Sequence, residues 1–245
     1  MRKLHIQNMF VPVYSLFAFI VISMQVETIS SYEENDGTRI GFELFQRLRR
    51  MELKVQGLFE DGAKRYASTY VRWGKSTCRG NDTELVYKGY AGGSHYAHHG
   101  GAADFLCLPD VPTWGKAMKA IYTGLIYGVE YEVHGGYNPF STVSLNDDAP
   151  CCVCRSPRTT TLMIPARTDC YPGWNQEYTG YLMSGYYGHA GPTNYVCVDD
   201  SPDAVFRGSP DHNGHLLYVV QASCGSLPCP PYVEGRIIAC VVCSK

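Results

Sequence analysis

Cys151-Cys152-Val153-Cys154 and Cys240-Val241-Val242-Cys243 end two stretches of this chain that echo each other. Upstream of the first lie Cys107 and Cys78; upstream of the second lie Cys197 and Cys170. The gaps are 29, 44 and 3 residues in one set and 27, 43 and 3 in the other. Agreement over such a span predicts two copies of one unit, each closed by a C-x-x-C. The flanks agree as well. Lys75-Ser76-Thr77-Cys78 aligns with Arg167-Thr168-Asp169-Cys170, and Tyr87-Lys88-Gly89-Tyr90 with Tyr178-Thr179-Gly180-Tyr181. Asp104-Phe105-Leu106-Cys107 aligns with Asn194-Tyr195-Val196-Cys197. The expected copies run over 69–155 and 156–245.

Between the cysteines the pattern is that of strands. Short β-prone runs at 121–133, 160–164, 216–221 and 237–242 are separated by Gly, Pro and Asn clusters. The chain is rich in Tyr (19) and Gly (25), which suit strands and tight turns better than helices. No helical period of any length follows residue 66. The expected fold is all-β: a disulfide-stapled tandem repeat of two similar β subdomains, preceded by a short coiled-coil helix. Net charge is -2 with mixed signs, which offers no electrostatic footprint for nucleic acid.

The N-terminal stretch predicts export. Arg2 and Lys3 precede an uncharged segment from Leu4 to Val26, densest in apolar residues from Phe10 to Met24. That is the pattern of a signal peptide over 1–30, with an uncleaved anchor at 4–26 as the alternative. Pro12, Ser15, Ser23 and Gln25 weaken the span. Either way the remainder lies outside the cytosol, where 11 cysteines read as a disulfide framework.

Residues 31–66 lack cysteine. Leu44, Leu48, Met51, Val55 and Leu58 alternate spacings of four and three, the seam of a coiled coil. Gly37 and Gly41 interrupt it upstream, and Gly57 and Gly62 weaken its end, leaving some 15 residues of helix. The expectation is an oligomerising stalk; the alternative is an amphipathic helix.

Two sets of four cysteines leave three. Cys224 and Cys229 are the close pair and predict a tight closed turn around Gly225 and Pro228. Cys152 remains. Adjacent cysteines seldom bond each other, so Cys152 is a buried free thiol, an alternative partner in the first copy, or an interchain link.

Several motifs now carry a resemblance. They are Thr69-Tyr-Val-Arg-Trp-Gly-Lys-Ser-Thr-Cys78, Leu85-Val-Tyr-Lys-Gly-Tyr-Ala-Gly-Gly-Ser-His-Tyr96, Leu106-Cys-Leu-Pro109, Cys152-Val-Cys154, Leu162-Met-Ile-Pro-Ala166, Gly180-Tyr-Leu-Met183 and Cys224-Gly-Ser-Leu-Pro-Cys-Pro-Pro-Tyr232. Over about residues 69–245 the chain resembles the C-terminal non-collagenous domain of invertebrate short-chain, spongin-type collagens. More distantly it resembles that of type IV collagen. The resemblance implies disulfides Cys78–Cys154, Cys107–Cys151, Cys170–Cys243, Cys197–Cys240 and Cys224–Cys229. It implies self-association, as a trimer. The chain departs from the family in having no Gly-X-Y run, so these residues form no triple helix. The first copy also lacks a counterpart of the Cys224–Cys229 turn, with Glu132–Tyr137 in its place.

Chemical motifs are sparse. His95, His98 and His99 sit among glycines, with His134 and Asp104 as further conceivable metal ligands. The plainer reading is a Gly-rich hairpin, and His98 has a counterpart in His189. No Gly-x-Ser-x-Gly, His-Glu-x-x-His or phosphate-binding loop is present. Tyr178, Tyr181, Tyr186, Tyr187 and Tyr195, with Trp174, suggest either cross-strand packing or a sugar- or protein-binding face. Asn81-Asp82-Thr83 is a glycosylation sequon. The resulting expectation is a secreted, non-catalytic structural or assembly protein without cofactor or metal. Its partners would be its own copies, and other matrix proteins or glycans. The alternative is an oligomeric secreted recognition protein of lectin-like or immune type.

Overall fold

The computed structural model describes residues 37–80, 82–117 and 122–245. The expected export segment at 1–30 and the sequon residue Asn81 lie outside the described residues. The chain divides between Glu60 and Asp61 into two units. The described residues are mostly β-sheet, with one α-helix and five disulfides.

The helix, α1 (Gly37–Arg65), is longer than the expected 15 residues. It runs through Gly41, Gly57 and Gly62, which the sequence pattern treats as breaks. A helical glycine costs about 1 kcal/mol relative to alanine but does not forbid the conformation. Leu44, Met51, Val55 and Leu58 are exposed and Leu48 is half-buried; Phe42, Phe45 and Leu53 are exposed too. Among the described residues, no helix is long and apolar enough to cross a membrane.

Ten strands follow: β1 (Ser68–Trp73), β2 (Glu84–Gly93), β3 (Leu106–Pro109), β4 (Tyr127–Tyr131), β5 (Pro150–Ser156), β6 (Thr161–Pro165), β7 (Asn175–Ser184), β8 (Val196–Asp199), β9 (His215–Val219) and β10 (Ala239–Ser244). Among the described residues of the expected β run 121–133, only Tyr127–Tyr131 is strand. In the first five, β5 lies between β1 and β2, and β2 also pairs β3 and β4. In the second five, β10 lies between β6 and β7, and β7 also pairs β8 and β9. The registers run in parallel. Tyr70 faces Cys154 as Leu162 faces Cys243, and Gly89 faces Pro109 as Gly180 faces Asp199. Both glycines are required by close approach. A Cβ on Gly89 would lie 1.7 Å from the Leu108 carbonyl oxygen, and one on Gly180 would lie 1.7 Å from that of Val198.

The sheet is mixed, a departure from the simple pair of subdomains expected. All ten strands join one hydrogen-bonded network. Two parallel pairings cross between the halves, β1 with β8 at Trp73↔Val198 and β4 with β9. The apolar interior is shared in the same way. One cluster packs Val129, Tyr131 and Phe140 with Met183, Val198 and Leu217. Another packs Tyr70, Cys152 and Cys154 with Tyr178, Cys197, Cys240 and Val242. Neither half keeps its core to itself, so the crossing strands and the core hold both halves as one body.

Candidate functional site

The disulfides are Cys78–Cys154, Cys107–Cys151, Cys170–Cys243, Cys197–Cys240 and Cys224–Cys229, the same pairs that the resemblance implies. Each of the first four ties the last strand of its half, β5 or β10, to an upstream element. Their loops span 43–76 residues, long enough for each bond to stabilise by roughly 2–4 kcal/mol.

Cys152 is a buried free thiol. It is wholly enclosed, on the face of β5 that meets Tyr70 and Cys154. Its Sγ is 3.6 Å from that of Cys154. Burial pushes the thiol up to about 11, so it is protonated and unreactive at neutral pH. The reason for a cysteine here is visible in the other half. Arg72 faces Cys152 as Ile164 faces Val241. Cys152 therefore occupies a valine's place and acts as a small hydrophobe.

The most organised polar feature is the seam between the halves. Arg72 donates from Nε to Asp199 Oδ2 at 2.8 Å, with Nη2 2.6 Å from the same oxygen, and from Nη1 to the Thr77 carbonyl at 2.9 Å. Both partners are buried. Tyr70 donates to Glu177 Oε2 at 3.0 Å. Burial, with Glu177 beside it, pushes the Tyr70 phenol well up. Glu177 Oε1 receives Arg158 at 2.9 Å and the Ser244 hydroxyl at 2.5 Å. Arg158 reaches on to Asp82 at 2.6 Å, and that bond holds the Asp82 carboxyl below its usual range. Lys75 pairs with Asp203 at 2.7 Å. The Tyr178 hydroxyl lies within hydrogen-bond reach of the Val71 and Cys197 carbonyls. A buried pair repays its desolvation only when its remaining donors are satisfied, and Thr77 supplies that for Arg72. This network fixes how one half sits on the other.

The Gly-rich loops after β2 and β7 meet in a ring cluster. His95 stacks on Tyr96 and on His98, at 4.7 and 4.6 Å between centroids. Tyr96 contacts His189, and His189 packs on Tyr186 and Tyr218. The backbone turns match, with His98 donating to His95 and His189 to Tyr186. Gly191 donates to the Tyr96 carbonyl across the loops. These histidines thus present ring faces to neighbours. The other conceivable ligands are placed elsewhere. Asp104 accepts the Asn194 amide, and His134 lies 3.9 Å from Glu132. His99 is exposed. Among the described residues, the group with three ligand atoms within 4.8 Å of one another is Cys78, Cys152 and Cys154. Two of those sulfurs are bonded to each other.

Of the tyrosines singled out, Tyr178 is buried and Tyr181 packs edge-on against Phe140. Tyr186, Tyr187 and Tyr195 are exposed, and Trp174 is half-buried. Arg72, Glu177 and Asp199 carry no motif, and the contacts Arg72–Asp199 and Tyr70–Glu177 join residues more than 100 apart in sequence. The one signal available for Arg72 is a charge between Val71 and Trp73 in a strand that is otherwise uncharged. No family model matches the chain.

Proposed function

We propose that this chain is a secreted, non-catalytic structural protein whose β region self-assembles outside the cell, in the manner of a collagen C-terminal assembly domain. The two halves are copies of one stapled unit, and α1 acts as a coiled-coil stalk through Leu44, Leu48, Met51, Val55 and Leu58. The observation that carries the reading is apolar surface left open on a heavily stapled sheet. Leu85, Val86, Tyr87, Tyr90, Leu106 and Leu162 are all exposed. Five of these lie on the neighbouring strands β2 and β3 and Leu162 lies on β6, and exposed apolar surface of this kind suits an interaction surface. Five disulfides suit an oxidising compartment. The test is light scattering of the secreted full chain at micromolar concentration. A mass of several chains supports the proposal, and a monomer refutes it.

A second reading has one observation of its own. Tyr186 and Tyr187 contact each other at the surface, and Tyr187 is 93% exposed. Such a pair offers stacking faces for a sugar. A glycan array would return binding that Tyr187→Ala abolishes if the chain is a recognition protein.

A further inference from the structure

The connection between the last two strands differs between the halves. In the first half, residues 132–149 join β4 to β5 and fold inward, with Val133, Phe140 and Val143 buried in the shared core. In the second half, residues 220–238 join β9 to β10 and carry the disulfide Cys224–Cys229. Here apolar side chains stand around a groove instead. Pro231, Tyr232, Val233, Arg236, Ile237 and Ile238 line it, and its volume is about 430 Å³. Small-molecule sites commonly run from roughly 300 to 1,000 Å³. The first half folds without this disulfide-closed turn, so the stapled scaffold does not require it.

The segment is held at several points. Cys224–Cys229 closes its turn, and Pro228, Pro230 and Pro231 enter the groove wall with their φ angles already set. The return limb is tied to the sheet. Gly235 donates to the Ala222 carbonyl, Ala222 to that of Arg236, and Ile238 to that of Val220. A groove held this way is preformed, so little ordering opposes a ligand. One charge faces these walls. Arg72, Arg155, Arg158 and Arg167 each lie against a carboxylate. Among the described residues Arg236 lies against none, and Glu234, the nearest acid in sequence, accepts the Cys224 N–H instead. Tyr232 adds a hydroxyl that is likewise without a hydrogen-bond partner among the described residues.

We propose that this groove binds a small monocarboxylate with an aliphatic body, its carboxylate on Arg236 and its body along Val233, Ile237 and Ile238. A guanidinium presents two parallel N–H donors that match a carboxylate, and the Tyr232 hydroxyl is a further donor. The apolar walls oppose a phosphate, because one arginine does not offset the desolvation of a doubly charged group. They oppose a small hydrophilic acid as well, which removes no apolar area from water there. The chemistry that fits is one anionic end on a hydrocarbon chain. The site lies within one chain, so it stands whether or not copies assemble.

The test is titration calorimetry of the secreted full chain with decanoate, decanol and acetate. Decanoate binds saturably at a single site. Decanol has the body without the charge and acetate the charge without the body, and each binds about 10-fold more weakly or worse. Arg236→Gln weakens decanoate about 10-fold, as loss of a charge-assisted hydrogen bond should, and leaves decanol unchanged. Arg236 is exposed, so this variant melts with the wild type. Absence of a saturable decanoate site overturns the proposal. Equal decanoate affinity of wild type and Arg236→Gln, or equal affinity of the wild type for decanoate and decanol, overturns the role of the arginine and with it the carboxylate. A peptide ending in a free leucine carboxylate that binds more tightly than decanoate makes a protein chain end the occupant and overturns the small-molecule assignment.

Discussion

The buried seam between the halves and the open faces at their far ends share one backbone plan and have opposite chemistry. At the seam, Arg72 and Asp199 are both buried and paired at 2.6 Å, and Tyr70 bonds Glu177. At the open faces the residues in matching register are Ile164, Pro109, Leu162 and Val86, all without charge. A repeated strand register therefore does not dictate a repeated surface. What a position faces decides its residue: a fixed intramolecular partner allows a buried charge pair, and an open edge carries apolar surface. Inside the sheet, Cys152 and Val241 hold matching register positions and both are fully buried.

That comparison can be broken most severely at the seam. Asp199→Ala strands the buried Arg72 guanidinium and should cost about 3–5 kcal/mol, whereas replacing both partners by leucine should cost far less. Denaturant melts of the two variants check this. Equal losses would mean that the pair acts only through packing.

The next largest effect separates the two staples. Cys243→Ser removes the Cys170–Cys243 bond with no spare sulfur in its half. Cys154→Ser leaves Cys78 beside Cys152, whose Sγ lies within 4.8 Å of it. We expect a loss of roughly 2–5 kcal/mol for Cys243→Ser and a smaller loss for Cys154→Ser. Thermal melts compare them, and a Cys78–Cys152 peptide should appear by mass spectrometry in the second variant alone.

The buried His215 and the half-buried His189 give a smaller, pH-dependent effect. Burial lowers the proton affinity of His215 and His189 below the ordinary histidine range. The unfolded chain then binds more protons, so their contribution is fully present above about pH 6.5 and is lost as pH falls below it. Melts between pH 7.5 and 5 should show declining stability. The decline should be shallower in His215→Gln. The smallest effect belongs to Cys152→Val, which copies Val241 and should shift stability by less than ~1 kcal/mol.

Much of the scaffold was legible from residues alone. The cysteine spacing, Gly89 and Gly180 in matching Y-x-G-Y contexts, and the strand-like runs mark two matching stretches of β character, whereas the disulfide pairs came only with the resemblance. Backbone closeness explains why: a disulfide and a glycine under a carbonyl are strict local demands with few sequence solutions. Arg72 with Asp199 was not legible, because their meeting depends on which strand lies beside β1. The run 121–133 overstated its strand, since β propensity without an edge to pair to does not make one. The glycines of α1 misled in the other direction, because their cost is small against a long helix. The His95–His98–His189 cluster was visible as composition, and only the meeting of two loops shows its rings stacked.

The claim beneath all of this is that the halves are two copies of one stapled unit with a single thiol left over. Mass mapping of non-reduced peptides from the secreted chain tests it directly. The account predicts Cys78–Cys154, Cys107–Cys151, Cys170–Cys243, Cys197–Cys240 and Cys224–Cys229, with Cys152 alkylated only after denaturation. A Cys152 found in a disulfide of the native chain, or a bond joining a grid cysteine of one half to the other half, would contradict it.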